Sequence, residues 1–151
     1  MASEHKLVKI ISPSEEVYDT FEKYKKIIKS VLPDANILLV GSFAIPMRGK
    51  EEFDILIETS DIEETREILV TKGFSKGPII GEEGFMHCRL YPIMCDARIV
   101  KHDSKLIQQY LKLIKRLQEN NPLRKEYEEL KESNHLTVKR QKSMNRLKRN
   151  S

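Results

Sequence analysis

Apolar residues recur at helical spacing from Val17 through Phe21, Tyr24 and Ile28 to Val31, the repeat of an amphipathic helix. Ser12 and Glu15 have capping-box spacing, Pro13 falls at the first helical position, and Pro33 closes the segment. Two short apolar runs follow, "NILLVG" and "FDILIE", and each reads as a buried strand. Ser60 and Glu63 repeat the capping-box spacing ahead of "DIEETREILVTK", a second helix that Gly73 is placed to end. The stretch from Gly73 to Val100 holds four glycines and two prolines between short apolar runs. It predicts two or three strands, with a hairpin or loop at "GEEG", a turn near Tyr91-Pro92, and its clearest strand at "MCDARIV". From about Ser104 the helical repeat returns at Leu106, Ile107, Tyr110, Leu111, Ile114 and Leu117, and Asn120-Asn121-Pro122 interrupts it. "LRKEYEELKESN" and "TVKRQKSMNRLKR" then predict two further helices.

The order is helix, strand, strand, helix, two or three strands, then helices. Only about a dozen residues join the first two strands, which suits a mixed β-sheet flanked by helices, an α/β (α+β) domain. A chain of 151 residues fits one domain spanning 1–151. No internal repeat is visible.

Charge changes this picture at one end. The net charge is +4, yet residues 136–151 carry Lys139, Arg140, Lys142, Arg146, Lys148 and Arg149 with no acid, so the preceding residues sum to −2. The basic character belongs to a C-terminal helix or tail. Such a tail can grip nucleic-acid phosphates non-specifically, although it has no aromatic residue for base stacking; a solvated helix is the alternative. No apolar run approaches the ~18 residues of a membrane span. The first residues lack the apolar core and cleavage site of a signal peptide, so the expected address is the cytoplasm and no membrane partner is expected. Cys88 and Cys95, with His87 and His102 nearby, fit no common zinc spacing and read as buried thiols and structural or exposed imidazoles.

The candidate chemistry lies in "LLVGSFAIPMRGKEEFDILIE", residues 38–58. A glycine after a strand lets the backbone turn sharply and approach a ligand. Ser42 adds a hydroxyl, and free N–H groups at such a turn favour anions. Gly41 and Ser42 can therefore cradle a phosphate. Arg48 and Lys50 are placed to neutralise it or to remain solvated loop charges. Asp54 can hold a divalent metal that bridges to the phosphate. The plainer reading is an ordinary turn followed by a capping carboxylate. Arg89 and Arg98, on strands, can bind a triphosphate or pair with a carboxylate on the sheet.

Gly41-Ser42, then Ala44, Pro46, Lys50 and Asp54-Ile55, resembles the signature of the GrpB family, G-S-T-x-V-P-G-L-x-x-K-P-x-x-D-I, with one residue fewer before the lysine. Gly73-Phe74 is similar to the family's glycine-aromatic pair after its second helix. Tyr127, Leu130, Lys131 and the basic end near Lys142 resemble its closing helices, so the resemblance covers about residues 36–150. It implies the nucleotidyltransferase superfamily, with its polymerase-beta-like fold and C-terminal helices. It also implies a site for a nucleoside triphosphate with Mg²⁺ and transfer of a nucleotidyl group to an unknown acceptor. Active members pair an acid-x-acid on one strand with a third acid on a later strand. Here Asp54-Ile55-Leu56 lacks the second acid, and Glu58 is about 13 Å further along the strand, too far to share an ion. The resemblance thus assigns metal and catalytic roles to Asp54 and Asp96 alone. It implies that Gly41 and Ser42 seat the phosphates with Lys50 assisting, and Arg48 joins them on its nearby charge alone. Phe43, Met47-Arg48 and Glu51 depart from the family pattern, and Asp96 stands where the family tends to have histidine. The alternative is a catalytically degenerate nucleotide- or nucleic-acid-binding module.

Overall fold

The computed structural model describes residues 9–132. Its elements are β1 (Ile10–Ile11), α1 (Glu15–Val31), β2 (Asn36–Val40), β3 (Gly49–Lys50), β4 (Glu52–Thr59), α2 (Ile62–Val70), β5 (Ser75–Ile80), β6 (Glu83–Cys88), β7 (Met94–Lys101), α3 (Lys105–Glu119) and α4 (Asn121–Glu132). The basic segment 136–151 lies outside the described residues.

Five strands form one mixed sheet in the order β2-β4-β7-β6-β5. β4 and β7 run parallel and the other neighbours antiparallel. The expected mixed sheet flanked by helices is therefore present, and each apolar repeat finds its place in it. Val17, Phe21, Tyr24 and Ile28 of α1, with Leu69 of α2, pack on Phe53, Ile55 and Ile57 of β4 and on Cys95, Ala97 and Ile99 of β7. Period-two alternation sends Leu56 of β4 and Val100 of β7 to the opposite face. There, with Val40, they meet Ile107 and Tyr110 of α3. Ile45, Met47, Leu113, Leu117 and Tyr127 form a third cluster, which seats α3 and α4 on the loop between β2 and β4.

The starts of α1 and α2 differ from expectation, while α3 begins after Ser104 as expected. α1 is capped by Ser14, not Ser12, and Pro13 precedes the cap. The Ser14 side chain accepts from the Val17 N–H at 3.3 Å, which leaves Glu15 and Glu16 in the first turn against the positive helix end. α2 is capped by Asp61, not Ser60, with the carboxylate accepting from the Glu64 N–H at 3.0 Å. An ionised acceptor makes the stronger bond to an orphan N–H. Gly73 does follow α2 with φ +94°, a conformation that favours glycine. β1 and β3, two residues each, pair antiparallel away from the main sheet, a contact without counterpart in the sequence pattern.

Tyr24 fixes the connection between β6 and β7. Its hydroxyl donates to the Ile93 carbonyl at 2.7 Å and accepts from the Leu90 and Tyr91 N–H groups at 3.3 Å each. This ties α1 to the connection that leads into β7, the strand whose pairing with β4 sets Asp96 beside Asp54.

Candidate functional site

β2 ends at Val40, and the chain turns at Gly41 with φ +78° into a 3-10 turn, Ser42–Ala44. A Cβ on Gly41 would lie 2.5 Å from Asp54 Oδ2. Glycine is therefore required twice, for its dihedral and because the Asp54 carboxylate rests against its Cα. A Cβ on Gly49 would similarly lie 2.5 Å from Ser42 Cβ and 2.6 Å from Ser42 Oγ. The Ser42 hydroxyl is buried and has no hydrogen-bond partner, an orphaned polar atom at the turn.

Three helices clamp this loop. The Tyr18 hydroxyl of α1 donates to the Phe43 carbonyl at 2.7 Å. Gln118 of α3 donates to the Ala44 carbonyl at 3.1 Å. Glu128 of α4 accepts from the Arg48 N–H at 3.0 Å, with the Arg48 Nε at 3.8 Å. The loop thus has a fixed backbone against which the two strands present their acids.

Asp54 stands in register with Val40 on one side and with Asp96 on the other. Asp96 in turn pairs with His87, and His87 with Ser75. Directly paired residues share a sheet face, with Cβ atoms about 5 Å apart. Gly41, Asp54 and Asp96 therefore meet at one place, although the two acids lie 42 positions apart in the chain. Asp96 is pushed up to about 7, first by burial, then by the negative charges of Asp54 and Glu52, with Arg98 opposing. Tyr127 of α4 is pushed up to about 12 by burial and by Asp54, again opposed by Arg98. These influences put Glu52, Tyr127 and Arg98 around the acid pair. The Arg98 guanidinium lies 5.3 Å from the Phe85 ring centroid and 5.4 Å from that of Tyr110, with Nη1 3.9 Å from Glu83.

The other candidates fall elsewhere. Arg48 turns toward Glu128 and its side chain is about half exposed (54%). Lys50 pairs with Ile10 in β3, and alternation sends its side chain away from the strand face on which Gly49 meets Ser42. Arg89 donates to the Pro92 carbonyl at 3.1 Å. Cys88 and Cys95 are buried, free and paired with each other across β6 and β7. His102 lies 3.4 Å from Glu58 at the far end of β4. Among the described residues no three His, Cys, Asp or Glu side chains are grouped to hold a metal ion. No helix among them is long and apolar enough to cross a membrane.

Leu56, at the position where the resemblance calls for a second acid, is fully buried under α3. That position belongs to the core. The acid that sequence reasoning passed over is Glu52, two residues before Asp54. Glu52-Phe53-Asp54 is itself an acid-x-acid run, and the strand repeat puts both carboxylates on one face. Mg²⁺ is commonly held by one or two carboxylates, with waters and substrate phosphates filling the other positions. Asp54 and Asp96 fit that donor set, and the neighbouring negative charge that, after burial, lifts Asp96 is charge a cation would neutralise.

The fold has a solved counterpart. The conserved protein GrpB from Enterococcus faecalis matches with TM-score 0.68 and 17% identity over 81% of this chain and 79% of its own. A cytoplasmic RNA terminal U-transferase matches with TM-score 0.46 and 18% identity over 72% of this chain and 39% of its own. The Cid1 poly(U) polymerase with bound MgGTP gives 0.44 and 16% over 72% and 41%. None of the curated proteins matches the chain. The family model described as GrpB protein matches residues 7–146, and the chain therefore belongs to the GrpB family.

Proposed function

We propose that the Gly41–Asp54–Asp96 site binds a nucleoside triphosphate with Mg²⁺ and transfers its nucleotidyl group to an acceptor. The observation that carries this reading is the register that seats Asp96 beside Asp54 while the Asp54 carboxylate lies against Gly41. In the proposal the half-buried turn at Gly41 and the orphaned Ser42 hydroxyl hold phosphate oxygens, as anion-binding turns do. Asp54 and Asp96 hold the ion, with Glu52 adding negative potential beside them. When bound, the ion would withdraw charge from the phosphoryl oxygens and steady the leaving pyrophosphate. The chain's own part is positional. The helix-clamped loop keeps the phosphate seat at a fixed distance from the acids, and such preorganisation costs nothing at the moment of reaction. Arg48 and Lys50 belong to this proposal as long-range positive charge at the mouth of the loop. A cytoplasmic address accords with it, since that compartment supplies both nucleotide and Mg²⁺. The tail 136–151 adds non-specific contact to nucleic-acid phosphates.

A thermal-shift series of nucleoside triphosphates with and without Mg²⁺ tests the reading. Stabilisation that requires the ion is expected. Equal stabilisation without it favours a nucleotide-binding module that has lost transfer. No stabilisation by any nucleotide refutes the proposal.

A further inference from the structure

The acid pair is the middle of a longer row. Val40, Asp54, Asp96, His87 and Ser75 stand side by side across all five strands of the sheet, on the face where α3 packs. One end of the row is closed by the clamped loop at Gly41. At the other end His87 and Ser75 are exposed, while α3 and α4 pack toward β2 and β3. The row therefore has a closed phosphate end and an open end, with the acids between them.

In-line displacement at phosphorus puts the attacking and leaving oxygens on opposite sides of the reacting centre. With the leaving pyrophosphate toward Gly41 and Ser42 and the α-phosphorus over the acids, attack has to come from the open end. His87 is the next side chain there, about one strand spacing beyond Asp96. From this geometry we infer that His87, with Ser75 behind it, forms the acceptor subsite and holds a neutral hydroxyl-bearing acceptor by hydrogen bonds. The inference rests on the proposed nucleotidyl transfer. In the step, the acceptor oxygen forms a bond to the α-phosphorus. The bond from that phosphorus to the oxygen bridging it to the β-phosphate breaks, pyrophosphate leaves, and the hydroxyl proton passes to water. No other reactant is required.

The charge around the row selects the acceptor class. Glu52, Asp54, Asp96 and Glu83 are acidic. Arg98 has Glu83 at 3.9 Å and lies between two aromatic rings, and the Arg89 guanidinium is turned to the Pro92 carbonyl. Beside these acids and a bound triphosphate, a polyanionic acceptor would meet repulsion at the open end of the row, whereas a neutral polyol would not.

The test uses the full chain and a panel of acceptors: glycerol, glucose, a seryl peptide, an oligoribonucleotide 3′ end, and water alone. Mg²⁺–nucleotide affinity is measured by calorimetry and transfer by pyrophosphate release. His87→Ala is expected to leave nucleotide affinity within about twofold and to lower transfer by at least about tenfold, mainly through the acceptor KM. His87→Gln, which keeps a hydrogen-bonding group, should recover part of the loss, and Ser75→Ala should show a smaller effect. Unchanged transfer in His87→Ala overturns the inference, as does a parallel loss of nucleotide binding in a folded variant. Preference for the oligoribonucleotide overturns the acceptor class. A wild type that binds nucleotide but transfers to nothing, water included, overturns the inference and leaves binding standing. A wild type that binds no nucleotide removes the underlying reading and the inference with it.

Discussion

Asp96→Asn separates the electrostatics of the acid pair from its packing. The native carboxyl is lifted from an ordinary 3.8 to about 7 by burial and by its neighbours Asp54 and Glu52. The native state therefore holds a proton that the unfolded chain releases near pH 4. Stability falls wherever the native state binds more protons than the unfolded state. The penalty is absent below about pH 4, grows as pH rises toward 7, and is complete above it. The full displacement corresponds to at most about 4 kcal/mol. Asp96 keeps some solvent contact, and screening reduces the expected figure to about 1–2 kcal/mol. Asparagine is nearly isosteric with the neutral acid and carries no charge at any pH. The variant should match the wild type near pH 4 and exceed it by about 1–2 kcal/mol at pH 8, read by urea denaturation. Mg²⁺ should narrow the gap at pH 8 by stabilising the wild type alone. A gap that is flat with pH, or a variant less stable than the wild type at pH 8, would refute the reasoning.

Gly41→Val should abolish Mg²⁺–nucleotide binding by calorimetry. It should also cost about 1–3 kcal/mol, because the positive φ and the Asp54 carboxylate both exclude a side chain; unaltered affinity would contradict the phosphate seat. Leu56→Asp should lower stability by at least about 3 kcal/mol in denaturant melts and should not tighten Mg²⁺ binding, because that side chain is fully buried under α3; a gain in affinity without loss of stability would show the position open to the site. Deleting residues 136–151 should remove any nucleic-acid binding, which in the intact chain should weaken steeply with salt in anisotropy titrations; tight, salt-insensitive binding after deletion would locate it elsewhere.

The sequence made the parts of this molecule legible and left their meeting hidden. α1 and α3 were readable because their apolar stripes persist over several turns, and Pro33 and Asn120 mark their ends. The starts of α1 and α2 were readable only to within one or two residues, since Ser12 and Ser14 both satisfy the cap rule, as do Ser60 and Asp61. The pairing of β1 with β3 is too short to leave a periodic trace. Gly41 and Asp54 could be singled out from local chemistry. Their contact could not, because it follows from the register of β2 on β4. The parallel pairing that brings Asp96 to Asp54 is a tertiary choice, and strand patterns do not encode which strands become neighbours. Glu52 was legible in principle as one half of an acid-x-acid run. Looking forward from Asp54 to Leu56 missed it, because burial beneath α3 cannot be read from β4 alone. Arg48 and Lys50 were singled out by proximity in sequence, and the loop directs Arg48 to α4 and puts Lys50 on the strand pairing with Ile10.

Calorimetric titration of a non-hydrolysable nucleoside triphosphate into the wild type and Asp54→Asn, each with and without Mg²⁺, tests the central claim most directly. Binding by the wild type should depend on Mg²⁺ and weaken at least about tenfold in the variant, a difference of about 1.4 kcal/mol. Binding of equal strength with and without the ion, or equal in the two proteins, would contradict it.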